Sequence, residues 1–186
     1  MVHADFALAL AGLCNSTPPI ETPIVNVKSS IVAIARNNGV ARAQELGADY
    51  LLFLDSDMVF PRSTLLRLLA YGRDIVGATY LRRTPPFAIL GARLAEAPAP
   101  DAPGLAEMQH LPTGCLLIRM KVFEAMTRPY FRFRHDETTG DVIGEDYDFC
   151  DRARELGFRI WCDAALSFEI GHIGQTIYRI PKDTDP

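Results

Sequence analysis

Tyr50-Leu51-Leu52-Phe53-Leu54-Asp55-Ser56-Asp57 is the stretch on which the fold turns. Its first five residues are continuously apolar rather than alternating, which predicts a strand covered on both faces, as a central parallel strand is. Two carboxylates then fall at the strand's carboxyl end. That is where open α/β sheets bind their ligands.

Working outward, residues 30–46 have alanine-rich helical spacing, with Ser29 or Ser30 as the N-cap and Gly47 as the stop. Before them, 23–28 reads as a short strand, and 3–15 as a helix with Phe6, Leu10 and Leu13 on its core face. Downstream, Pro61 opens a helix through Tyr71 with Leu65, Leu66, Leu68 and Leu69 inward, and 74–80 returns as a strand. This alternation predicts an α/β layer architecture with a mixed, mainly parallel sheet. Segments 87–94 and 115–120 read as strands with no helix between them, an antiparallel extension of the sheet. The stretch 95–104, with Pro98, Pro100 and Pro103, has loop chemistry. Segments 121–127 and 145–156 are predicted helices, and 158–162 a late strand. No internal repeat is present.

The 186 residues, 48% apolar and 23% charged, fit one domain, 1–186. A net charge of −4 and the dispersal of the 19 Lys and Arg exclude a nucleic-acid stripe. The same field repels anions, so a phosphate ligand needs a metal or backbone amides. Cys14, Cys115, Cys150 and Cys162 form no C-x-x-C pair and read as reduced thiols of a cytoplasmic protein. Residues 6–13 follow Asp5 rather than a cationic region, so they read as a helix and not a signal peptide. No apolar run approaches the ~20 residues that span a bilayer.

A pair of carboxylates such as Asp55 and Asp57 resists ionisation unless a cation accompanies it. Hard oxygen ligands suit Mg2+ or Mn2+, although an Asp-x-Asp also serves as a plain loop cap. Gly144-Glu145-Asp146-Tyr147-Asp148 opens a helix whose apolar face is Phe149, Cys150, Ala153 and Leu156. Helical spacing turns Glu145 and Asp146 toward the core and Asp148, Asp151 and Glu155 away. Acids at a helix N-terminus also complement its dipole, but an inward carboxylate beside a metal is a natural general base. His172 stands between Gly171 and Gly174 in a short glycine-framed stretch and is the third ligand candidate; His3, His110 and His135 read as surface or loop residues. No G-x-x-x-x-G-K-[ST] loop or G-x-G-x-x-G turn is present to cradle phosphate. Ser63 and Ser167 lack a nucleophile-elbow setting.

Together, residues 51–57, 144–153 and 171–172 resemble nucleotide-sugar glycosyltransferases of the GT-A fold, especially family 2-like members. Ala35-Arg36-Asn37 and Pro112-Thr113-Gly114-Cys115 are similar to that family's pattern as well. The resemblance implies a Rossmann-like three-layer sandwich and a nucleotide-diphosphate sugar donor, with a nucleotide and metal half at 1–94 and an acceptor and catalytic half at 105–186. It implies that Asp57 ligates the metal, that Asp55 contacts the ribose or a metal-bound water, and that His172 completes the ligands. Asp146 would be the base that deprotonates an acceptor hydroxyl, with Glu145 orienting the acceptor. Arg36 would belong to the nucleotide pocket, and the Thr113 and Gly114 backbone to the donor sugar. The family's first strand and base-holding loop have no counterpart before residue 3, which leaves a sheet edge open to self-association. Two alternatives stand beside this reading. One is a non-catalytic binding module that keeps the metal site. The other is a haloacid dehalogenase-type phosphatase, whose D-x-D-x-[TV] opening fits Asp55 to Val59 with Asp55 as nucleophile.

Overall fold

A computed structural model describes residues 2–96 and 102–182. In chain order its elements begin with α1 (Ala4–Ser16), α2 (Val32–Glu45), β1 (Tyr50–Leu54), β2 (Met58–Val59), α3 (Thr64–Ala70) and β3 (Ile75–Gly77). They continue through β4 (Ala92–Arg93), β5 (Leu105–His110), β6 (Cys115–Arg119), α4 (Met120–Ala125), β7 (Arg134–His135) and β8 (Val142–Ile143). The chain closes with α5 (Glu145–Glu155), β9 (Ile160–Asp163), α6 (Ala164–Glu169), β10 (Gly171–Ile173) and β11 (Ile177–Tyr178).

The protein is mixed α/β, built on a six-stranded sheet of order β1-β6-β3-β9-β5-β4. Only β3 and β9 pair in parallel; every other neighbouring pair in this sheet is antiparallel. This corrects the mainly parallel sheet expected from the alternation of helix and strand. Helix α3 does return the chain so that β1 and β3 run the same way, but β6 is inserted between them and opposes both. Strand β5, which local periodicity does not reveal, lies beside β9 and antiparallel to it.

β1 falls where the apolar run predicts, yet it is an edge strand and not a central one. Its apolar continuity has another cause. Leu51 and Phe53 pack into a core with α2, α4 and α5, whereas Tyr50, Leu52 and Leu54 pack into a second core with α1, α3 and α6. Helices thus cover both faces of the sheet, and residues that alternate in direction are all apolar.

Other boundaries move for identifiable reasons. Segment 23–28 forms no strand; it runs beside Asn38, Arg42 and Leu46 of α2 and lines a cavity of about 560 Å³ with them. Ile31, not a serine, occupies the N-cap of α2, while Ser29 Oγ accepts from the Ile31 amide at 3.1 Å. Gly47 ends the helix at φ 64°, a conformation that glycine adopts without strain. In α3, Leu65 and Leu68 are buried but Leu66 is exposed. Pro98 and Pro100 lie outside the described residues.

A smaller sheet, β11-β10-β2, sets the site. The chain turns after β1 into β2, and β10 pairs with β2 so that His172 stands opposite Met58. Strand pairing also crosses the sequence in a consistent way: β1, β2, β3 and β4 all find their sheet partners among strands after residue 104. Among the described residues no helix is long and apolar enough to cross a membrane.

Candidate functional site

Asp55 begins the turn that leaves β1. Its amide donates to the Gly114 carbonyl at 3.1 Å, and its carbonyl accepts from the Met58 amide at 3.1 Å, so the backbone of the turn is fixed on both sides. The Asp57 carbonyl accepts from the Ile173 amide at 2.7 Å. That bond is the reason a histidine far along the chain reaches the acidic turn.

The two carboxylates take different partners. Asp57 Oδ2 lies 3.5 Å from His172 Nε2 and is also ion-paired with Arg83 Nη1. His172 Nδ1 is 2.8 Å from the Leu81 carbonyl. A carbonyl only accepts, so Nδ1 carries a hydrogen, and Nε2 is left to face Asp57, donating to it when the ring is protonated and offering a lone pair to a cation when the ring is neutral. Burial opposes the Asp57 charge, but the His172 hydrogen bond and the His172 and Arg83 charges outweigh it and lower its pKa. For His172, burial works against protonation, and the bonds to Asp57 and Leu81 prevail and raise its pKa.

Asp55 instead faces Arg36, whose Nη2 is 3.4 Å from Asp55 Oδ2 and whose Nη1 is ion-paired with Glu145 Oε1. Arg36 and Glu145 are both buried, and the guanidinium stands 6.0 Å from the Phe131 ring centroid. Desolvation raises the Asp55 pKa; Arg36 pulls it back, and Asp57 and Asp146 push it up again. The carboxylate sits in a crowded recess whose mouth is open, for 40% of its side-chain surface meets solvent. Glu145 is raised chiefly by desolvation, against Arg36 and with Asp146.

The residues singled out in the sequence gather around one turn, each with partners of its own. Asp57 and His172 come together as expected. Asp55, expected as a further metal ligand, is turned to Arg36. Arg36 is not open to a nucleotide; it bridges Asp55 and Glu145. Glu145 is inward as expected, but that bridge occupies it, so it holds Arg36 rather than an acceptor. Asp146, partly buried, is close enough to Asp55, Glu145 and Tyr80 to oppose their ionisation. The Gly114 amide already donates to Tyr80 Oη at 3.0 Å, so it is not free for a sugar. Thr113 is fully buried, and its hydroxyl has no hydrogen-bond partner.

Asp148, expected outward, is 1% exposed, with Arg132 Nε at 3.0 Å, Arg134 Nε at 2.9 Å and Arg152 Nη1 at 3.7 Å. Residues 126–143 fold over that side of α5, which local helical periodicity cannot reveal. Asp151 is likewise engaged, by His110 at 2.7 Å and Arg134 at 2.7 Å. His110 is no loose surface residue, since it stacks on Tyr147 at 4.3 Å between centroids. Tyr147 Oη in turn accepts from the Gly91 amide at 3.0 Å. Arg83, Leu81 and Tyr80 were missed altogether; the one sequence signal was the Arg82-Arg83 pair just after a strand.

Two ligands each ~2.1 Å from one cation at right angles lie about 3.0 Å apart, against the 3.5 Å that separates Asp57 Oδ2 from His172 Nε2. Among the described residues no three His, Cys, Asp or Glu side chains form a cluster able to hold an ion. A cation here would thus take two protein ligands and complete its shell with water or phosphate oxygens, as Mg2+ commonly does.

The chain's fold is similar to that of A197 from STIV, with a TM-score of 0.64 at 19% identity, over 99% of this chain and 91% of that one. This establishes a common fold and nothing about chemistry. No protein-family model and no curated protein matches the sequence.

Proposed function

We propose that the protein is a metal-dependent glycosyltransferase of GT-A type, moving a sugar from a nucleotide-diphosphate donor to an acceptor hydroxyl. The observation that carries this reading is the convergence on one turn of residues from three distant segments, Arg36 of α2, Glu145 of α5 and His172 of β10. Asp57 meets His172, while Asp55 two residues earlier meets the Arg36–Glu145 pair at the start of α5. Helices that pack on both faces of the sheet are compatible with it.

Asp57 and His172 Nε2 are the residues that would hold Mn2+ or Mg2+. Such an ion supplies electrostatic stabilisation of the departing diphosphate. Asp146 takes the proton of the acceptor hydroxyl as its oxygen forms a bond to the anomeric carbon, and the bond from that carbon to the diphosphate breaks. Glu145 positions Arg36, and Arg36 fixes Asp55 at the rim. Tyr80, whose pKa burial pushes far up, stays a neutral phenol that supports Gly114 beneath Asp55. The outer edge of β1 is the surface proposed for self-association.

A phosphatase using Asp55 is disfavoured by Lys121, whose Nζ pairs with Asp74 at 2.8 Å. It follows β6 at the end that pairs with Tyr50, a strand's length from Asp55. Calorimetric titration with uridine or guanosine diphosphate and Mn2+ tests the main reading. Metal-dependent binding is expected; its absence leaves no donor site and the proposal fails. Asp146→Asn should then lower sugar transfer by at least ~100-fold while sparing donor binding. Loss of donor binding instead would show that Asp146 is not the base.

A further inference from the structure

Arg83 lies near the tip of a small hairpin closed by the Leu81–Ile89 bridge, by Arg82 N to Ala88 O at 2.8 Å and by Leu90 N to Tyr80 O at 2.9 Å. The base of that hairpin is tied to the site, because Leu81 supplies the carbonyl that orients His172. A Cβ at Gly174 would stand 3.0 Å from Tyr178 Cε2 and 3.3 Å from Arg83 Cβ, so the hairpin packs closely on the turn that follows β10. From there the guanidinium reaches Asp57 Oδ2, the oxygen that also faces His172 Nε2.

Around the turn stand four carboxylates, Asp55, Asp57, Glu145 and Asp146, and two guanidiniums, Arg36 and Arg83. Arg36 is buried and committed to two of the acids. Arg83 is 47% exposed on a long stem, and ion pairs so exposed are weak and easily exchanged. A divalent ion between Asp57 and His172 needs the oxygen that Arg83 holds, and its charge repels the guanidinium. Once displaced, Arg83 stands beside a metal-bound diphosphate, which its planar fork matches and which the surrounding carboxylates otherwise repel.

We infer that Arg83 is an exchangeable ligand of this site, closing Asp57 in the metal-free protein and passing to the donor's diphosphate when a divalent cation takes its place. This rests on the proposed function, and it predicts opposite effects of one substitution. In Arg83→Gln, Mn2+ alone should bind about threefold to tenfold more tightly, because a competing cation is gone. Uridine diphosphate binding at saturating Mn2+ should weaken about tenfold or more, because a charge-assisted phosphate contact is lost. Arg83→Lys keeps the charge and should stay near the wild type in the first measurement.

Manganese binding followed by electron paramagnetic resonance, and nucleotide binding followed by calorimetry, read both effects without any turnover. Unchanged or weaker Mn2+ binding in Arg83→Gln overturns the competition. Tighter Mn2+ binding with unimpaired nucleotide binding overturns the transfer to diphosphate. Asp57→Asn serves as a separate arm: if it leaves wild-type Mn2+ binding intact, the metal assignment itself fails, and the inference with it.

Discussion

At Asp55, desolvation opposes the charge that Arg36 favours, and desolvation prevails. A carboxyl with a folded pKa above its unfolded value of ~3.9 binds protons more readily when folded. Stability therefore falls as pH rises from ~3.9 through the folded pKa, and the deficit is complete at neutral pH. Asp55→Asn should raise the urea midpoint at pH 7 and leave it unchanged at pH 3. The gain stays below about 1 kcal/mol, since the side chain is 40% exposed and solvent screens it. A clear loss of stability at pH 7 would mean that the Arg36 contact outweighs desolvation. Asp55, Asp57, Glu145, Asp146 and His172 were legible in the sequence because each sits in a short motif at an element's end. Arg83 was not, because its partners, Asp57 and the Ile173 carbonyl, are 26 and 90 residues away. Nor was the bridging role of Arg36, which joins residues 19 and 109 positions distant.

Helix α5 shows what local periodicity sees and what it misses. Most of its apolar face follows from the spacing, with Phe149, Cys150 and Ala153 buried, but Leu156, expected on the same face, is exposed where the helix ends. The burial of Asp148 does not, because it depends on the segment that includes β7 and brings Arg132 and Arg134 over the helix. Asp148→Asn removes the counter-charge from guanidiniums already ordered around it and should cost about 2–3 kcal/mol in urea denaturation. A loss under about 0.5 kcal/mol would reduce that cluster to surface decoration. Strand β5 is fastened to α5 in a similar way, through Glu107, which accepts from Arg154 at 3.1 Å and Arg159 at 2.7 Å. The hydrogen bond from Arg159 leads the effects that lower the Glu107 pKa, overcoming burial. A depressed folded pKa gives stability that is present above the unfolded value of ~4.3 and is lost as pH falls through the folded one. Glu107→Gln should accordingly flatten the acid limb of a midpoint-against-pH curve below about pH 4.3. An unaltered limb would assign acid unfolding to other carboxylates. The two-residue strands β2, β7, β8 and β11 are too short to carry any alternation, and β5 contains Glu107 and Gln109, so none of these was readable as a strand, while of the segment 87–94 only Ala92 and Arg93 form β4.

For the whole molecule, the sequence conveyed the class, mixed α/β, and the order of its main helices, but not the neighbours of its strands. Parallel pairing follows from local helix–strand alternation only when consecutive strands end up adjacent. Here β6 separates β1 from β3, a long-range choice made by two cores that both need its side chains: Leu116 and Ile118 enter one, Cys115 and Leu117 the other. The division into halves at 1–94 and 105–186 is consequently not a division into folding units. A fragment of residues 1–94 should lack a cooperative thermal transition and show collapsed amide dispersion in NMR. A sharp transition would mean that α1, α2, α3 and their strands stand without the second half.

That pattern of strand pairing bears on how the protein is made. Emerging from the ribosome, the acidic turn of Asp55 and Asp57 waits, unsupported, for Gly114 to receive the Asp55 amide and for Ile173 to donate to the Asp57 carbonyl. Contacts so distant along the chain form late. The site is thus among the last features a nascent chain acquires, and a stop between Asp57 and Gly114 would release a product that carries both acids and neither of these contacts.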